Sequence, residues 1–303
     1  MRYDDFRRSD NVEDRRGGGG GGGGVPGGPA GLGIGGILIV GLLSYFTGIN
    51  PAVLLSGYEA VTGSGQGQVQ QQRRPTGQQG RPTDQMGDFV AATLGSTEDA
   101  WQKIFQEAGR RYQAPGLIMF DRVTSSACGT AQSAMGPFYC PTDRKVYLDT
   151  SFFQELTTRF RGCSGDAKAC QFSYAYVIAH EVGHHVQNSM GILTRVREAQ
   201  QAAGDERQSN ALQVRVELQA DCFAGVWAYH TQQQYRFIDD ADVRAAMQTA
   251  AAIGDDMLQR RSQGRVVPDS FTHGSSEQRQ RWFTTGLRSG QISACNTFQS
   301  NQL

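Results

Sequence analysis

The sequence feature that most restricts the fold is a long uncharged stretch near the N-terminus, from Gly17 to Tyr58. Within it, residues 31–49 read GLGIGGILIVGLLSYFTGI, a segment long enough to cross about 30 Å of hydrocarbon at about 1.5 Å per residue. Its glycines are compatible with a membrane helix, because a helix keeps its backbone hydrogen bonds within the segment. The sequence therefore predicts one transmembrane helix over residues 31–49.

Basic residues are distributed unevenly about this segment. The arginines that precede it are Arg2, Arg7, Arg8, Arg15 and Arg16. The next basic residue after it is Arg73. Because cytoplasmic flanks are enriched in Lys and Arg, we expect a single-pass protein of a bacterial inner membrane, with residues 1–30 as a cytoplasmic leader and the C-terminal part in the periplasm or exterior. A cleaved signal peptide is the alternative, but the sequence lacks a clear A-x-A site.

The rest of the chain divides into a linker and one domain. Residues 57–87 are rich in Gly, Gln, Thr and Pro, which predicts a flexible linker. Residues 88–303 are numerous enough to bury a core of their own. The formal net charge of the whole chain is +0, so nucleic acid is not an expected partner.

Six cysteines lie in this predicted domain, and two pairs of them are close in sequence. We expect disulfides between Cys128 and Cys140, Cys163 and Cys170, and Cys222 and Cys295. Sequence does not prove that connectivity, and six reduced thiols are the alternative. No two cysteines stand three apart, so a CxxC zinc ribbon is excluded. Disulfides persist in an oxidising compartment, which agrees with a domain outside the cytoplasm.

Hydrophobic periodicity predicts an α+β domain that is mostly helical with a small sheet. A strand is expected over residues 114–120 and a hairpin over residues 138–149, around a turn at Pro141–Asp143. The predicted helices span residues 88–113 (interrupted near Gly95), 151–160, 172–190, 211–233, 241–261 and 275–288.

The segment YVIAHEVGHHVQ, residues 176–187, carries the most informative motif. His180 and His184 stand four apart in a helical window, so both imidazoles lie on one face and can bind one metal ion. Glu181 follows the first histidine and is placed to take a proton from metal-bound water. His185 points about 100° away on the helix and is not expected to join His184 on the same metal.

A catalytic zinc site needs a third protein ligand. The extension HExxHxxGxxH is absent, because Gln187 and Met190 stand at its Gly and His positions. The later segment VELQADCFAGVWA offers Glu217 as the third ligand. Asp221, four residues on, is expected to accept a hydrogen bond from a zinc-bound histidine. A solvated carboxylate pair is the alternative, but the helix around these residues is largely apolar.

HExxH followed on a later helix by ExxxD resembles the arrangement of the gluzincins, which include thermolysin. Longer segments are similar to a bacterial family of neutral zinc metallopeptidases: the glycine-rich leader with its membrane segment, GPFYCPTDRKVYLD, AHEVGHHVQ, ELQADCFAGVW and FTHGSSEQRQRWF. The resemblance covers nearly the whole chain. It implies a zincin-like, membrane-anchored peptidase with one Zn²⁺ held by His180, His184 and Glu217.

The resemblance also suggests residues that act on the substrate. Related zinc peptidases carry a histidine after the third ligand, which makes His273 the candidate donor to the tetrahedral oxyanion. Arg279 is a candidate anchor for the substrate or for a carboxylate. His230 is expected to be structural. Asp255 and Asp256 are expected to be solvated, and the alternative is that they support a residue of the site.

Two classes of function remain open at this stage. The first is a zinc endopeptidase that hydrolyses envelope or misfolded proteins with Glu181 as general base. The second is a catalytically silent scaffold that keeps the metal for stability and binds envelope proteins. Retention of Glu181 between the two histidines favours the enzyme over the scaffold. A non-hydrolytic metal protein is a third alternative, and an open zinc position beside a base favours hydrolysis over it.

Overall fold

The computed structural model describes residues 1–17, 78–79, 82–163 and 170–303. These residues contain two small β-sheets, eight α-helices and three short 3-10 helices. The predicted transmembrane helix at residues 31–49 and most of the predicted linker lie outside these residues. Among the described helices, none combines the length and the apolar character that a membrane crossing requires.

The strands are short and belong to two sheets. They are β1 (Val12–Asp14), β2 (Gln78–Gln79), β3 (Gly116–Phe120), β4 (Val123–Ser126), β5 (Gly129–Gln132), β6 (Phe138–Cys140) and β7 (Lys145–Asp149). The larger sheet has the order β2-β1-β3-β7-β6, with β1, β3 and β7 parallel and both outer strands antiparallel to their neighbours. Strands β4 and β5 form a separate hairpin.

Helices form most of the domain. They are α1 (Gln85–Glu107), α2 (Ser151–Thr158), α3 (Gln171–Ser189), α4 (Ile192–Gln201), α5 (Glu206–Tyr235), α6 (Asp240–Ala252), α7 (Asp255–Gln263) and α8 (Ser276–Ser289). Side-chain caps start several of them. The Asp205 carboxylate accepts from the backbone of Gln208 at the start of α5, and Ser275 and Gln278 form a capping box at the start of α8.

The prediction of a mostly helical α+β domain is confirmed, and so is the hairpin of residues 138–149, which is β6 and β7. The predicted helix over residues 241–261 is two helices that break at Ile253 and Gly254. The predicted interruption near Gly95 does not occur, since α1 continues through that residue. Helix α4, strands β1 and β2 and the β4–β5 hairpin were not expected from the sequence.

The first seventeen residues differ most from the prediction, which assigned them to a leader separate from the domain. Residues 1–17 form one compact unit with residues 76–303. Strand β1 lies inside the larger sheet, and Phe6 and Val12 are buried in the main hydrophobic core. The domain therefore includes residues at the N-terminus of the chain as well as those after residue 82.

Helices α3, α5 and α8 pack together around the core and carry most of the residues of the candidate site. Helices α3 and α5 cross closely at Gly183, where an added Cβ would lie 2.9 Å from the carbonyl oxygen of Ala220. A residue with a side chain would force the two helices apart at this point. This crossing lies between His180 and His184 on one helix and between Glu217 and Asp221 on the other.

The three expected disulfides are confirmed: Cys128–Cys140, Cys163–Cys170 and Cys222–Cys295. The first joins the turn of the β4–β5 hairpin to β6, and the last joins α5 to the C-terminal segment. None of the six cysteines is free. Two of the three pairs were close in sequence, which is why their partners could be predicted.

Candidate metal centre

Two helices bring three potential metal ligands to one point. His180 and His184 lie one turn apart on α3, and Glu217 faces them from α5. The Nε2 atom of His180 lies 3.2 Å from Oε2 of Glu217, and the Nε2 atom of His184 lies 3.5 Å from the same oxygen. Their ligand atoms all lie within 4.8 Å of one another. The structure thus brings together the ligand set predicted from the sequence.

The chemistry and spacing of these atoms fit zinc. Two imidazole nitrogens and one carboxylate are a donor set found in catalytic zinc sites. A tetrahedral ion with ligand distances of about 2.0–2.1 Å places its ligand atoms about 3.3 Å apart, close to the spacing seen here. A set of three protein ligands leaves one position for water or substrate.

The other ring nitrogens of the two histidines are held by neighbouring side chains. Nδ1 of His180 lies 2.8 Å from Oδ1 of Asp221, and Nδ1 of His184 lies 2.9 Å from Oε1 of Gln187. Both partners are acceptors, so each Nδ1 carries the proton and each Nε2 is free to bind a cation. Gln213 donates to the second oxygen of Glu217 at 2.9 Å and orients that carboxylate.

Asp221 is the centre of a buried hydrogen-bond cluster behind His180. Besides His180, it accepts from the hydroxyl of Tyr176 at 2.5 Å and from two nitrogens of Arg279 at 2.8 and 2.9 Å. Tyr176 and Asp221 are fully buried and Arg279 is 3 % exposed. Burial alone would raise the pKa of Asp221, but the charges of Arg279 and His180 outweigh it and hold that pKa at about 2.

The electrostatics of the site favour a cation. Burial opposes protonation of His180, but Asp221 and Glu217 outweigh it and raise the pKa of His180 to about 10. Burial would raise the pKa of Glu217, but the nearby histidines hold it well below its ordinary value. Two buried carboxylates thus face these histidines, with Arg279 balancing one of them. A divalent ion at the three ligand atoms would balance the charge of the other.

Glu181 lies in the wall of a cleft of about 610 Å³ that also contains all three ligands. Its side chain is largely buried but has no hydrogen-bond or ion-pair partner among the described residues. A carboxylate that lines the cleft and is not held by a protein donor is available to a molecule bound there. Its position beside the ligands suits a group that exchanges a proton with a molecule in the cleft.

His273 borders the same cleft with a side chain that is 52 % exposed. Its Nδ1 atom lies 3.3 Å from Oδ1 of Asp255, which leaves Nε2 for a molecule in the cleft. The other oxygen of Asp255 accepts from the backbone of Thr272, His273 and Gly274. Desolvation opposes protonation of His273, but Asp255 and the more distant Glu217 outweigh it and raise its pKa.

Several predictions about side chains need correction. Arg279 was expected to anchor the substrate or a carboxylate, and it is buried and binds the carboxylate of Asp221. Asp255 was expected to be solvated, but it is buried and orients the His273 loop. His230 is structural and His185 lies outside the ligand set, as expected for both. His185 contacts Tyr139 and the carbonyl of Gln113, and His230 contacts the carbonyl of Gly290.

Three contributors were missed: Tyr176, Gln187 and Gln213. Helical spacing could have identified them, because Tyr176 stands four residues before His180, Gln187 three after His184 and Gln213 four before Glu217. Residues three or four apart on a helix share a face. A polar residue at that spacing from a metal ligand is therefore a candidate partner for it.

Comparison with known proteins assigns the chain to a family. The sequence is 46 % identical over 303 residues to the uncharacterized protein YpfJ of Escherichia coli K12, covering 98 % of this chain and 99 % of that protein. It is 43 % identical over 224 residues to the uncharacterized protein Rv2575 of Mycobacterium tuberculosis H37Rv, covering 71 % of each chain. No solved structure matches the chain significantly. Residues 1–298 match the family described as "Putative neutral zinc metallopeptidase", and the chain belongs to that family.

Proposed function

We propose that this protein is a zinc-dependent endopeptidase and that its domain, which is zincin-like, hydrolyses peptide bonds. The observation that carries the proposal is the unpartnered carboxylate of Glu181, in the cleft that also contains His180, His184 and Glu217. A site that serves only to stabilise the fold needs the three ligands but has no use for an adjacent buried base.

The residues of the cleft divide the chemistry among them. Bound zinc would lower the pKa of a water molecule and polarise the substrate carbonyl. Glu181 takes a proton from the attacking water and passes it to the leaving amine. His273, oriented by Asp255, donates a hydrogen bond to the oxygen that gains charge in the tetrahedral intermediate. Asp221 and Gln187 keep the two histidine rings in position.

The edge of the larger sheet favours an extended polypeptide as substrate. Strand β6 is an outer strand that pairs with β7 alone among the described strands, and its residues Phe138 and Tyr139 line the cleft. An outer strand offers unpaired backbone groups to which an extended peptide can add. Binding through the backbone does not require a chain terminus, which favours an endopeptidase.

The disulfides support a location outside the cytoplasm. Three disulfides in one domain are typical of proteins in the periplasm or exterior and rare in cytosolic ones. We therefore propose that the domain acts on envelope or misfolded proteins there.

Replacement of the base tests the mechanism. In the full-length protein, Glu181→Gln should retain zinc and lower the cleavage of casein about 10²-fold or more, the range typical of a lost general base. His184→Ala should lose both zinc and cleavage, and a chelator should inhibit the parent. The matched control is Glu198→Gln, which changes an exposed glutamate of α4 and should leave both unchanged.

The outcome also separates the enzyme from the scaffold. A parent protein that is fully loaded with zinc and cleaves neither casein nor other unfolded proteins would favour the scaffold. Cleavage by Glu181→Gln at the parental rate would show that another group acts as the base.

A further inference from the structure

Residues 1–17 are joined to the domain through the backbone of its larger sheet. In the parallel pair of β1 and β3, Val12 lies opposite Leu117 and Asp14 opposite Met119. Beyond this pair, the backbone of Leu117 donates to the carbonyl of Asn11 at 2.8 Å. Val12 is 1 % exposed. A parallel strand in this position is buried by its neighbours and shares its hydrogen bonds with them.

A buried carboxylate on α1 depends on the same segment. Glu98 is 7 % exposed and accepts hydrogen bonds from Arg7 at 2.6 Å, Ser9 at 2.6 Å and Asn11 at 2.7 Å. All three donors belong to the N-terminal segment. A buried carboxylate without donors destabilises a fold. Burial of Glu98 is therefore favourable only when residues 7–11 supply its hydrogen bonds.

Helix α1 is also shaped to receive the segment. The backbone nitrogen of Ser9 donates to the carbonyl of Ala91 at 2.9 Å. At Gly95 an added Cβ would lie 2.1 Å from the carbonyl oxygen of Arg7, far inside contact distance. Glycine inside a helix is unfavourable relative to alanine, so its presence here is explained by the close approach of the segment.

We propose that residues 1–17 are an integral part of the folded domain and that they lie on the same side of any membrane as residues 82–303. A polypeptide that crosses a membrane once has its two flanks on opposite sides, and flanks so separated cannot form a strand pair. This fold is therefore incompatible with a single-pass topology that puts residues 1–17 and 82–303 in different compartments. This replaces the expectation of a cytoplasmic N-terminus with an external domain, and it does not depend on the proposed function.

Labelling of single thiols in intact cells tests the shared compartment. All six native cysteines are in disulfides, so an introduced cysteine would be the free thiol of the protein. Asp5→Cys reports on the N-terminal segment and Glu107→Cys on the domain, since both positions are exposed. A membrane-impermeant maleimide should treat the two variants alike, whether it labels both in intact cells or both only after permeabilisation. Labelling of one variant in intact cells and of the other only after permeabilisation would overturn the proposal.

Substitution of Gly95 tests whether residues 1–17 are docked on α1. The docked and undocked alternatives predict changes in Tm of opposite sign. If the segment is docked on α1, Gly95→Ala in the full-length protein introduces a clash with Arg7 and should lower the Tm by several degrees. If residues 1–17 lie elsewhere, alanine is the better helix former and the Tm should rise. The control is Gln102→Ala at an exposed position of the same helix, which should change the Tm little. A raised or unchanged Tm in Gly95→Ala would overturn the docking and with it the shared compartment.

Discussion

Arg279 binds the carboxylate of Asp221 through two nitrogens, Nε to Oδ2 at 2.8 Å and Nη2 to Oδ1 at 2.9 Å. The pair is buried, and Asp221 also accepts from His180. Arg279 therefore affects the metal site without touching it, because it holds the carboxylate that holds a ligand. The arginine that the sequence suggested as an anchor for the substrate or for a carboxylate thus binds a carboxylate of its own domain and has a positioning role.

Removal of Arg279 should weaken both the fold and the metal site. Arg279→Met leaves Asp221 buried without its cation and should lower the free energy of unfolding by about 3–5 kcal/mol. The altered support of His180 should also lower zinc affinity about 10–100-fold. Chemical denaturation and zinc titration measure the two effects. Arg281→Met is the matched control on the same helix, since its ion pair with Glu277 is exposed and should contribute less than about 1 kcal/mol.

Loss of His273 should lower the rate of catalysis and leave the metal in place. We expect His273→Gln to lower kcat about 10²-fold with unchanged zinc content, as when one donor to an oxyanion is removed. Asp255→Asn should act in the same direction but less strongly, because it orients His273 without contacting the substrate. Steady-state kinetics with metal analysis would check this. A loss of zinc in His273→Gln would instead indicate that His273 supports the ligands.

The disulfides should contribute unequally to stability, because they close loops of different length. Cys222 and Cys295 are 73 residues apart, whereas Cys163 and Cys170 are 7 apart. The chain-entropy model gives about 4 kcal/mol for the longer loop and about 2 kcal/mol for the shorter one. Denaturation of the double alanine variants, Cys222→Ala/Cys295→Ala and Cys163→Ala/Cys170→Ala, would measure both values. Equal losses would show that loop length does not determine the contribution here.

Asp149 should make stability depend on pH in the acid range. Its carboxylate is 2 % exposed and accepts from the backbone of Arg122 and Ser151 and from the hydroxyl of Ser133. Burial alone would raise its pKa, but these hydrogen bonds outweigh it and lower the pKa below the ordinary value of 3.8. The stabilisation is therefore present above about pH 4 and is lost as the pH falls through the folded-state pKa.

Comparison with an isosteric amide isolates this effect. At pH 7 Asp149→Asn should be less stable than the parent by about 1–3 kcal/mol, the cost of impaired buried hydrogen bonds. The difference should shrink as the pH falls below about 4, because the parental carboxylate then becomes protonated. Thermal unfolding of both proteins between pH 3 and pH 7 would measure it. A difference that stays constant over this range would contradict the assigned cause.

The sequence was sufficient for the ligands because their chemistry depends on local spacing. His180 and His184 are fixed relative to one another by one helical turn, and an apolar helix made Glu217 and Asp221 stand out. Arg279 and Asp255 could not be assigned in the same way, since their partners come from distant segments. Charge and residue type do not show whether such a side chain faces solvent or a buried carboxylate.

The N-terminal segment was misassigned for a related reason. Its composition is polar and charged, which is typical of a solvated leader, and β1 has only three residues. Most of its polar contacts are to residues some eighty or more positions away, such as those of Arg7 and Ser9 with Glu98. Contacts at that separation leave no periodic pattern in the sequence. Gly95 was the available signal, and it predicted a helix break where the structure has a close contact.

Gly183 contacts no ligand, yet it sets the separation at which α3 and α5 cross between the two pairs of site residues. A methyl group there would push the carbonyl of Ala220 away by a few tenths of an ångström and displace Glu217 relative to both imidazoles. Gly183 should therefore tolerate substitution as poorly as the two histidines do, although it has no side chain. A screen for inactive variants would be expected to recover position 183 among those that have lost their metal.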